Sequence, residues 1–130
     1  MISVDTSVLV RVVTNDDPDR AKRGAAVLAK ERVWIAKTVL LEMEWVLRYA
    51  YRLKKPAILN AFHGILGLPN VEIEDPLGVA QALKWHESGL DFADALHLAS
   101  SAAARQFMTF DEELKKMAAR TPGLSIGVSS

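Results

Sequence analysis

The sequence predicts an α/β fold, a three-layer α/β/α sandwich around a central, mostly parallel sheet. Short runs rich in β-branched residues alternate with longer segments of helical periodicity. The alternation runs along the whole chain without a repeat, a linker or a low-complexity segment. Because 130 residues is a common size for one domain, we expect residues 1–130 to form a single domain.

Five short segments are predicted as strands, and a helix is expected after each of the first four. The predicted strands are Ile2–Asp5, Val33–Ala36, Val71–Ile73, Phe107–Phe110 and Leu124–Ile126. In parallel α/β sheets, ligands bind at the carboxyl ends of the strands, where helix N-termini also point. We therefore expect the functional residues at that edge of the sheet.

The predicted helices begin at residues that favour helix N-termini. Pro18 suits the first position of a helix, and Thr38 is a preferred N-cap residue. The predicted helices are 6–13, Pro18–Lys30, Thr38–Leu53, a segment from Pro56 to about Gly64 or Gly67, Leu77–Glu87, Phe92–Arg105 and Asp111–Arg120. Their apolar stripes, such as Val39, Met43 and Leu47, indicate the faces that pack on the sheet.

Composition excludes several classes of function. The chain has no cysteine, so disulfides, thiolate zinc sites and cysteine nucleophiles are excluded. No signal peptide and no apolar run long enough to span a bilayer is recognised, so we expect a cytoplasmic protein without membrane contact. The 16 basic and 16 acidic residues balance, which weighs against a general nucleic-acid binder. If four acids bind metal, however, 12 acidic residues remain and the other charges are mildly positive.

Four acidic residues are expected at the carboxyl edge of the sheet. Asp5 ends the first strand, Glu42 lies early in the helix after the second, Asp94 lies in the first turn of a helix, and Asp111 follows the fourth strand. Like charges about 4 Å apart repel by roughly 1 to 4 kcal/mol per pair, so such a cluster is costly without a cation. Hard oxygen ligands select Mg²⁺ or Mn²⁺ over Zn²⁺. These residues are therefore candidate metal ligands and catalytic residues.

Helix capping is the alternative interpretation of the aspartates. Asp5, Asp91 and Asp111 each stand where an N-cap belongs, and aspartate is a preferred cap. Glu42 has Val46 four residues later, so no ion pair explains it. Glu44 has Arg48 at that position and is expected to form a surface pair. Helical geometry alone does not choose between the two glutamates.

Other polar and aromatic residues have weaker claims on function. Arg11 and Lys37 are candidates for contacts with a substrate phosphate, with a solvated surface role as the alternative. His97 lies in an Ala- and Leu-rich helix and is expected to be packed or hydrogen-bonded. The three tryptophans, Trp34, Trp45 and Trp85, are expected in the core or in an interface, because they lack the spacing of a base-stacking platform.

The acidic motifs together resemble the PIN domain, and their order and spacing are similar to those of short VapC-like toxins. The motifs are Val4-Asp5-Thr6-Ser7-Val8-Leu9, Leu41-Glu42, Asp91-Phe92-Ala93-Asp94-Ala95-Leu96-His97-Leu98-Ala99 and Met108-Thr109-Phe110-Asp111. The third motif is the most specific, and the resemblance covers nearly the whole chain.

This resemblance implies a Mg²⁺- or Mn²⁺-dependent endoribonuclease that is the toxin of a type II toxin–antitoxin pair. It carries Asp5, Glu42, Asp94 and Asp111 over as the acidic site, holding one or two metal ions. The hydroxyls of Thr6, Ser7 and Thr109 would orient these acids, or cap helices, and Asp91 would assist through water or only cap its helix. The implied partners are an RNA substrate, a cognate antitoxin protein and a second copy in a homodimer.

Two other classes of function compete with the nuclease. A phosphoacceptor signalling domain also gathers acids and Mg²⁺ at strand ends, but it needs a paired acid beside the first strand and a lysine after a late strand. The segments Asp5–Ser7 and Phe107–Asp111 supply neither. A catalytically silent PIN-like interaction module would be expected to lack one of the four acids, and all four are present.

Overall fold

The computed structural model describes residues 1–124 and 126–130, which form two compact units, an N-terminal unit (Met1–Glu74) and a C-terminal unit (Asp75–Ser130). All described strand pairs are parallel and alternate with helices. The α/β class predicted from the sequence is therefore confirmed. The expectation of one domain over residues 1–130 stays a prediction.

The N-terminal unit consists of a three-stranded parallel sheet and four helices. Its elements are β1 (Ile2–Ser3), α1 (Thr6–Thr14), α2 (Pro18–Lys30), β2 (Val33–Ile35), α3 (Lys37–Tyr49), α4 (Lys55–Leu66) and β3 (Val71–Ile73). The strand order is β1-β2-β3, with Ile2 paired to Val33 and Ile35 paired to Ile73. Helix α1 packs against α2 and α3, and this packing fixes the surroundings of Asp5.

The C-terminal unit contains the other predicted acids. Its elements are α5 (Pro76–Glu87), α6 (Phe92–Ala99), β4 (Gln106–Met108), α7 (Glu112–Ala119) and β5 (Gly127–Ser129), with β4 and β5 paired in parallel. Helices α5 and α6 pack together and bury Trp85, Phe92 and Leu98. A buried aliphatic or aromatic side chain of this size contributes about 1.5 to 3 kcal/mol to stability.

The predicted helix from Phe92 to Arg105 is wrong in its second half. Helix α6 ends at Ala99, and residues 100–105 form turns and bends. The backbone N–H of Ser100 donates to Leu96 and Leu98, and the hydroxyl of Ser101 donates to the carbonyl of His97 at 2.7 Å. These serines provide hydrogen-bond partners for the last helical carbonyls and so end the helix.

Several other predicted boundaries differ from the structure, including the end of the first strand, which is Ser3 and not Asp5. Helix α3 begins at Lys37 with Ala36 as its N-cap, so Thr38 lies inside the first turn and does not cap it. Strand β4 ends at Met108, so Asp111 follows it after two intervening residues. The last strand is Gly127–Ser129, not Leu124–Ile126; Ser125 of that prediction lies outside the described residues.

Candidate functional site

Asp5 lies where β1 passes into α1. Its backbone has the extended conformation of an N-cap, but its side chain makes no capping hydrogen bond and accepts one from Ser7 Oγ at 2.9 Å. The Ser7 hydroxyl, followed by the backbone amides of Thr6 and Ser7, lowers the pKa of Asp5 below its ordinary value of 3.8. The carboxylate is exposed and remains an anion at neutral pH. The capping interpretation is therefore wrong for Asp5, and the group is accessible to a cation.

Thr6 has a structural role beside Asp5. Its side chain is buried, and its hydroxyl donates to the carbonyl of Val39 at 3.5 Å. This contact joins the start of α1 to the start of α3, which carries Glu42. Thr6 therefore helps to hold the two acidic segments of the N-terminal unit in position.

The two glutamates of α3 have opposite environments. Glu42 is exposed, and no residue that the structure describes forms a hydrogen bond or an ion pair with it. Glu44 is only 3% exposed and accepts from Nε and Nη2 of Arg48 at 2.9 and 3.1 Å. The predicted pairing of Glu44 with Arg48 is confirmed, but its expected place at the surface is wrong, because this side of α3 is buried together with Met43 and Leu47. Of the two glutamates, only Glu42 is accessible to a ligand.

Arg11 and Lys37 both have protein partners in the N-terminal unit. The guanidinium of Arg11 lies 2.6 Å from Asp16 Oδ2 and also contacts the Tyr51 hydroxyl, which itself donates to Asp16. The hydrogen bonds from Tyr51 and then Arg11 lower the pKa of Asp16 to about 2. The backbone amide of Lys37 donates to Glu74 Oε1 at 2.9 Å. The structure does not test whether either side chain meets a substrate phosphate.

Asp94 is half-buried in the first turn of α6, and its surroundings oppose its charge. Burial, followed by the carboxylates of Asp91 and Asp111, raises the pKa of Asp94 above its ordinary value of 3.8, and the nearby His97 offsets only part of this. No residue in the described part of the chain donates a hydrogen bond to the Asp94 carboxylate. A half-buried carboxylate without donors is stabilised by a cation.

Asp91 and Asp111 each cap the helix that follows them, as the capping interpretation expects. Asp91 Oδ1 accepts from the amide of Asp94 at 3.2 Å, and Asp111 Oδ1 accepts from the amide of Leu114 at 3.1 Å. The hydroxyl of Thr109 accepts from the amide of Asp111 at 3.0 Å and fixes the backbone before α7. Each cap uses one oxygen of its carboxylate. For Asp111, capping and metal binding are therefore compatible.

The donor set suits a hard divalent cation, although the structure forms no complete cluster. Among residues 1–124 and 126–130, no group of three or more His, Cys, Asp or Glu side chains is positioned to hold a metal ion. The charges of Asp91, Asp94 and Asp111 nevertheless interact, and charge interactions act over longer distances than coordination bonds. The structure thus brings these three together in the C-terminal unit and leaves Asp5 and Glu42 in the N-terminal unit. The gathering of all four acids stays a prediction.

The expectation for His97 is wrong, because its side chain is exposed and its ring forms no hydrogen bond with a described residue. Trp45 is 57% exposed, and its ring lies 5.2 Å from that of Tyr49 at a tilt of 46°. Of the two expected roles for Trp45, the structure excludes the core and leaves the interface as a prediction. Trp85, in contrast, is buried as expected.

A cleft of about 440 Å³ lies beside Asp5 within the N-terminal unit. Asp5, Ser7 and Arg11 line it together with two residues that sequence reasoning did not single out, Arg20 and Arg23 of α2. Their spacing of three residues places both on one helix face, which is the signal that could have identified them. Because such pairs of arginines are also common on solvated helix faces, their spacing does not by itself indicate a binding role.

The chain was compared with solved structures, with curated proteins and with models of protein families. The solved structure of VapC20 from Mycobacterium tuberculosis, described as a toxin that cleaves the sarcin-ricin loop, is similar to 89% of this chain and 94% of that chain, with 23% identity and a TM-score of 0.45. A comparison with curated proteins finds no significant match. A family model described as the PIN domain matches residues 2–120. The chain therefore belongs to the PIN-domain family, a family of nucleases.

Proposed function

We propose that this protein is a Mg²⁺- or Mn²⁺-dependent endoribonuclease whose acidic site consists of Asp5, Glu42, Asp94 and Asp111. The observation that carries the proposal is the environment of Asp94. Its carboxylate is half-buried, lies near two other carboxylates and receives no hydrogen bond from the described residues. Family membership supports nuclease activity, and a divalent cation would offset the charge of these neighbouring carboxylates.

Each of the four acids offers oxygen to a cation in a different way. The Ser7 hydroxyl holds Asp5 in its anionic form, so its charge is available at neutral pH. Glu42 is exposed on α3, and Asp111 retains one oxygen beyond the one that caps α7. Oxygen ligands of this kind favour Mg²⁺ or Mn²⁺. When bound, the cation would supply Lewis acidity toward the phosphate and an activated water for hydrolysis.

The residues of the chain would contribute orientation and charge, and no covalent attachment of RNA to the protein is needed. Ser7 orients Asp5, and Thr109 fixes the backbone that presents Asp111. Asp91 positions the first turn of α6 and adds negative charge beside Asp94. We assign Asp91 a positioning role, because it caps α6 and acts on Asp94 through its charge.

Cleavage of a single-stranded RNA tests this function directly. Wild-type protein should cut it internally with Mg²⁺ or Mn²⁺, EDTA should stop the reaction, and an all-DNA strand of the same sequence should be cut much more slowly. Asp19→Asn removes an exposed acid of α2 outside the site and should remain fully active. Failure of wild-type protein to cut RNA with any divalent cation would reject the nuclease in favour of a silent interaction module.

We further propose that the protein is a cytoplasmic toxin that forms a homodimer and is held inactive by a small antitoxin with a basic tail. The support is the PIN-domain family, together with an exposed aromatic surface at Trp45 and Tyr49. No helix among the described residues is long and apolar enough to cross a membrane. An arginine of the antitoxin tail would offset the site's carboxylates much as a metal does. Tyr51 is half-buried and hydrogen-bonded to Asp16, so it does not extend this surface.

Growth and light scattering test this second proposal. Expression of soluble wild-type protein without the neighbouring gene should arrest growth, and co-expression of that gene should restore it. Unimpeded growth with soluble protein present would count against toxicity. A monomer in light scattering at micromolar concentration would reject the homodimer.

A further inference from the structure

The cleft beside Asp5 is lined by three arginines and one acidic residue. Arg11, Arg20 and Arg23 line it, and Asp5 is its acidic member. Asp16 pairs with Arg11 at 2.6 Å, and Asp17 pairs with Arg20 at 3.4 Å. Arg23 is exposed, and it has no ion pair or hydrogen bond within the described part of the chain. The cleft therefore offers one uncompensated guanidinium near a proposed metal ligand.

A glycine sets the distance between the two helices that form the cleft. A Cβ at Gly24 would lie 2.8 Å from Cγ2 of Val12 and 3.2 Å from Cγ1 of Val8, so only glycine permits the close approach of α2 to α1. Arg20, Arg23 and Val27 lie on the same face of α2 as Gly24. The close packing therefore places this row of side chains beside the segment that carries Asp5.

The remaining walls and the size of the cleft suit a nucleotide. Ile2, Val8 and Val27 provide apolar surface, and the cleft measures about 440 Å³, within the range of small-ligand sites. Apolar walls with a few charged groups can hold a base or ribose while guanidinium groups bind the phosphate. Positive charge is also what a backbone phosphate requires.

We infer that this cleft binds a nucleotide of the RNA next to the bond that is cut, with Arg23 as the main phosphate contact and Arg20 beside it. The inference rests on the proposed function, since it places the substrate strand along α2 as it approaches Asp5. On this inference α2, which lies outside the acidic motifs, takes part in substrate binding. Arg23 is a binding residue and takes no part in the chemical step.

Binding of a fluorescein-labelled single-stranded RNA dodecamer in EDTA tests the inference without any cleavage. Arg23→Ala should weaken binding about tenfold, as expected for loss of a hydrogen bond to a charged group. The slope of log affinity against log salt should fall by about 0.7, the value for one phosphate contact on a single strand. Arg23→Glu should weaken binding further. Arg23 is exposed, so all variants should melt at the wild-type temperature.

Lys22 provides the matched control, because it is an exposed cation on the opposite face of α2 and does not line the cleft. Lys22→Ala should bind within about twofold of wild type, and Lys22→Glu should bind more tightly than Arg23→Glu, although both variants change the net charge equally. Equal losses in the Arg23 and Lys22 variants, or no binding by wild type, would overturn the inference. Cleavage of the same RNA by wild type with Mg²⁺ is measured separately. If wild type cleaves RNA but the Arg23 and Lys22 variants lose equal affinity, only the assignment of the cleft as a binding site is rejected. If wild type does not cleave RNA, the proposed function is rejected.

Discussion

Asp5 in the N-terminal unit and Asp94 in the C-terminal unit have opposite electrostatic environments. Asp5 is exposed and accepts a hydrogen bond from Ser7, which lowers its pKa. Asp94 is half-buried near Asp91 and Asp111, which raises its pKa, and no described residue donates to it. The protein itself stabilises the anion at Asp5 and opposes it at Asp94. The difference indicates that Asp94 has the greater need for a cation.

Substitution of either aspartate should have the largest effect, because both are proposed metal ligands. Asp5→Asn and Asp94→Asn keep the side-chain shape but remove the anion, and each should reduce RNA cleavage by about a hundredfold or more. Initial rates at saturating Mg²⁺ and RNA measure this. Asp19→Asn serves as the control, and full activity in either site variant would remove that residue from the site.

The two glutamates of α3 should respond oppositely to substitution, one losing activity and the other losing stability. Glu42→Gln should lose cleavage and keep its stability, because Glu42 is exposed and makes no described contact. Glu44→Gln should lower the free energy of unfolding by roughly 1 to 3 kcal/mol, because it weakens the pair between the buried Glu44 carboxylate and the partly exposed Arg48. The folded variant should cleave RNA normally. Chemical denaturation and cleavage rates separate the two. The reverse pattern would mean that the site glutamate is misassigned.

Substitution of Asp16 should have a smaller effect, and it tests how a hydrogen-bonded carboxylate contributes to stability. Hydrogen bonds from Tyr51 and Arg11 lower the pKa of Asp16 to about 2. The ionised carboxylate therefore stabilises the fold at any pH above its ordinary pKa of 3.8, and this stabilisation is lost as the pH falls toward 2. Asp16→Asn should therefore lower the melting temperature at pH 7. The difference from wild type should shrink as the pH falls from 3.8 toward 2. A difference that is independent of pH would show that charge is not its cause.

The fold was more predictable from the sequence than the arrangement of the site. Helix starts at Pro18, Asp91 and Asp111 depend on local signals, and the structure has helices beginning there. The environment of Glu44 depends on which side of α3 packs against its neighbours, and a helical wheel places Glu42 and Glu44 at similar angles to the apolar stripe. The exposure of His97 and the early end of α6 depend on tertiary contacts in the same way.

The roles of the basic residues illustrate the same limit. Arg11 is a candidate for a phosphate contact from the sequence, yet Asp16, which lies beyond the end of α1, and Tyr51, which lies beyond the end of α3, bind its guanidinium. Arg23 drew no attention from local pattern, because its importance depends on the close contact of α1 and α2 at Gly24. Contacts of this kind are set by packing and cannot be read from spacing.

The melting temperature of Asp94→Asn in EDTA tests the central claim, that the charge of Asp94 is uncompensated without a cation. Because the pKa of Asp94 is raised in the folded protein, its ionisation destabilises the fold when the pH is above that pKa. The destabilisation is absent when the pH is below the ordinary pKa of 3.8. The variant should therefore be more stable than wild type at pH 7, and the gain should vanish below about pH 4. Mg²⁺ should then stabilise wild type more than the variant. Asp5→Asn should show no such gain. An Asp94→Asn variant that is less stable than wild type at pH 7 in EDTA, with an equal response to Mg²⁺, would contradict the account.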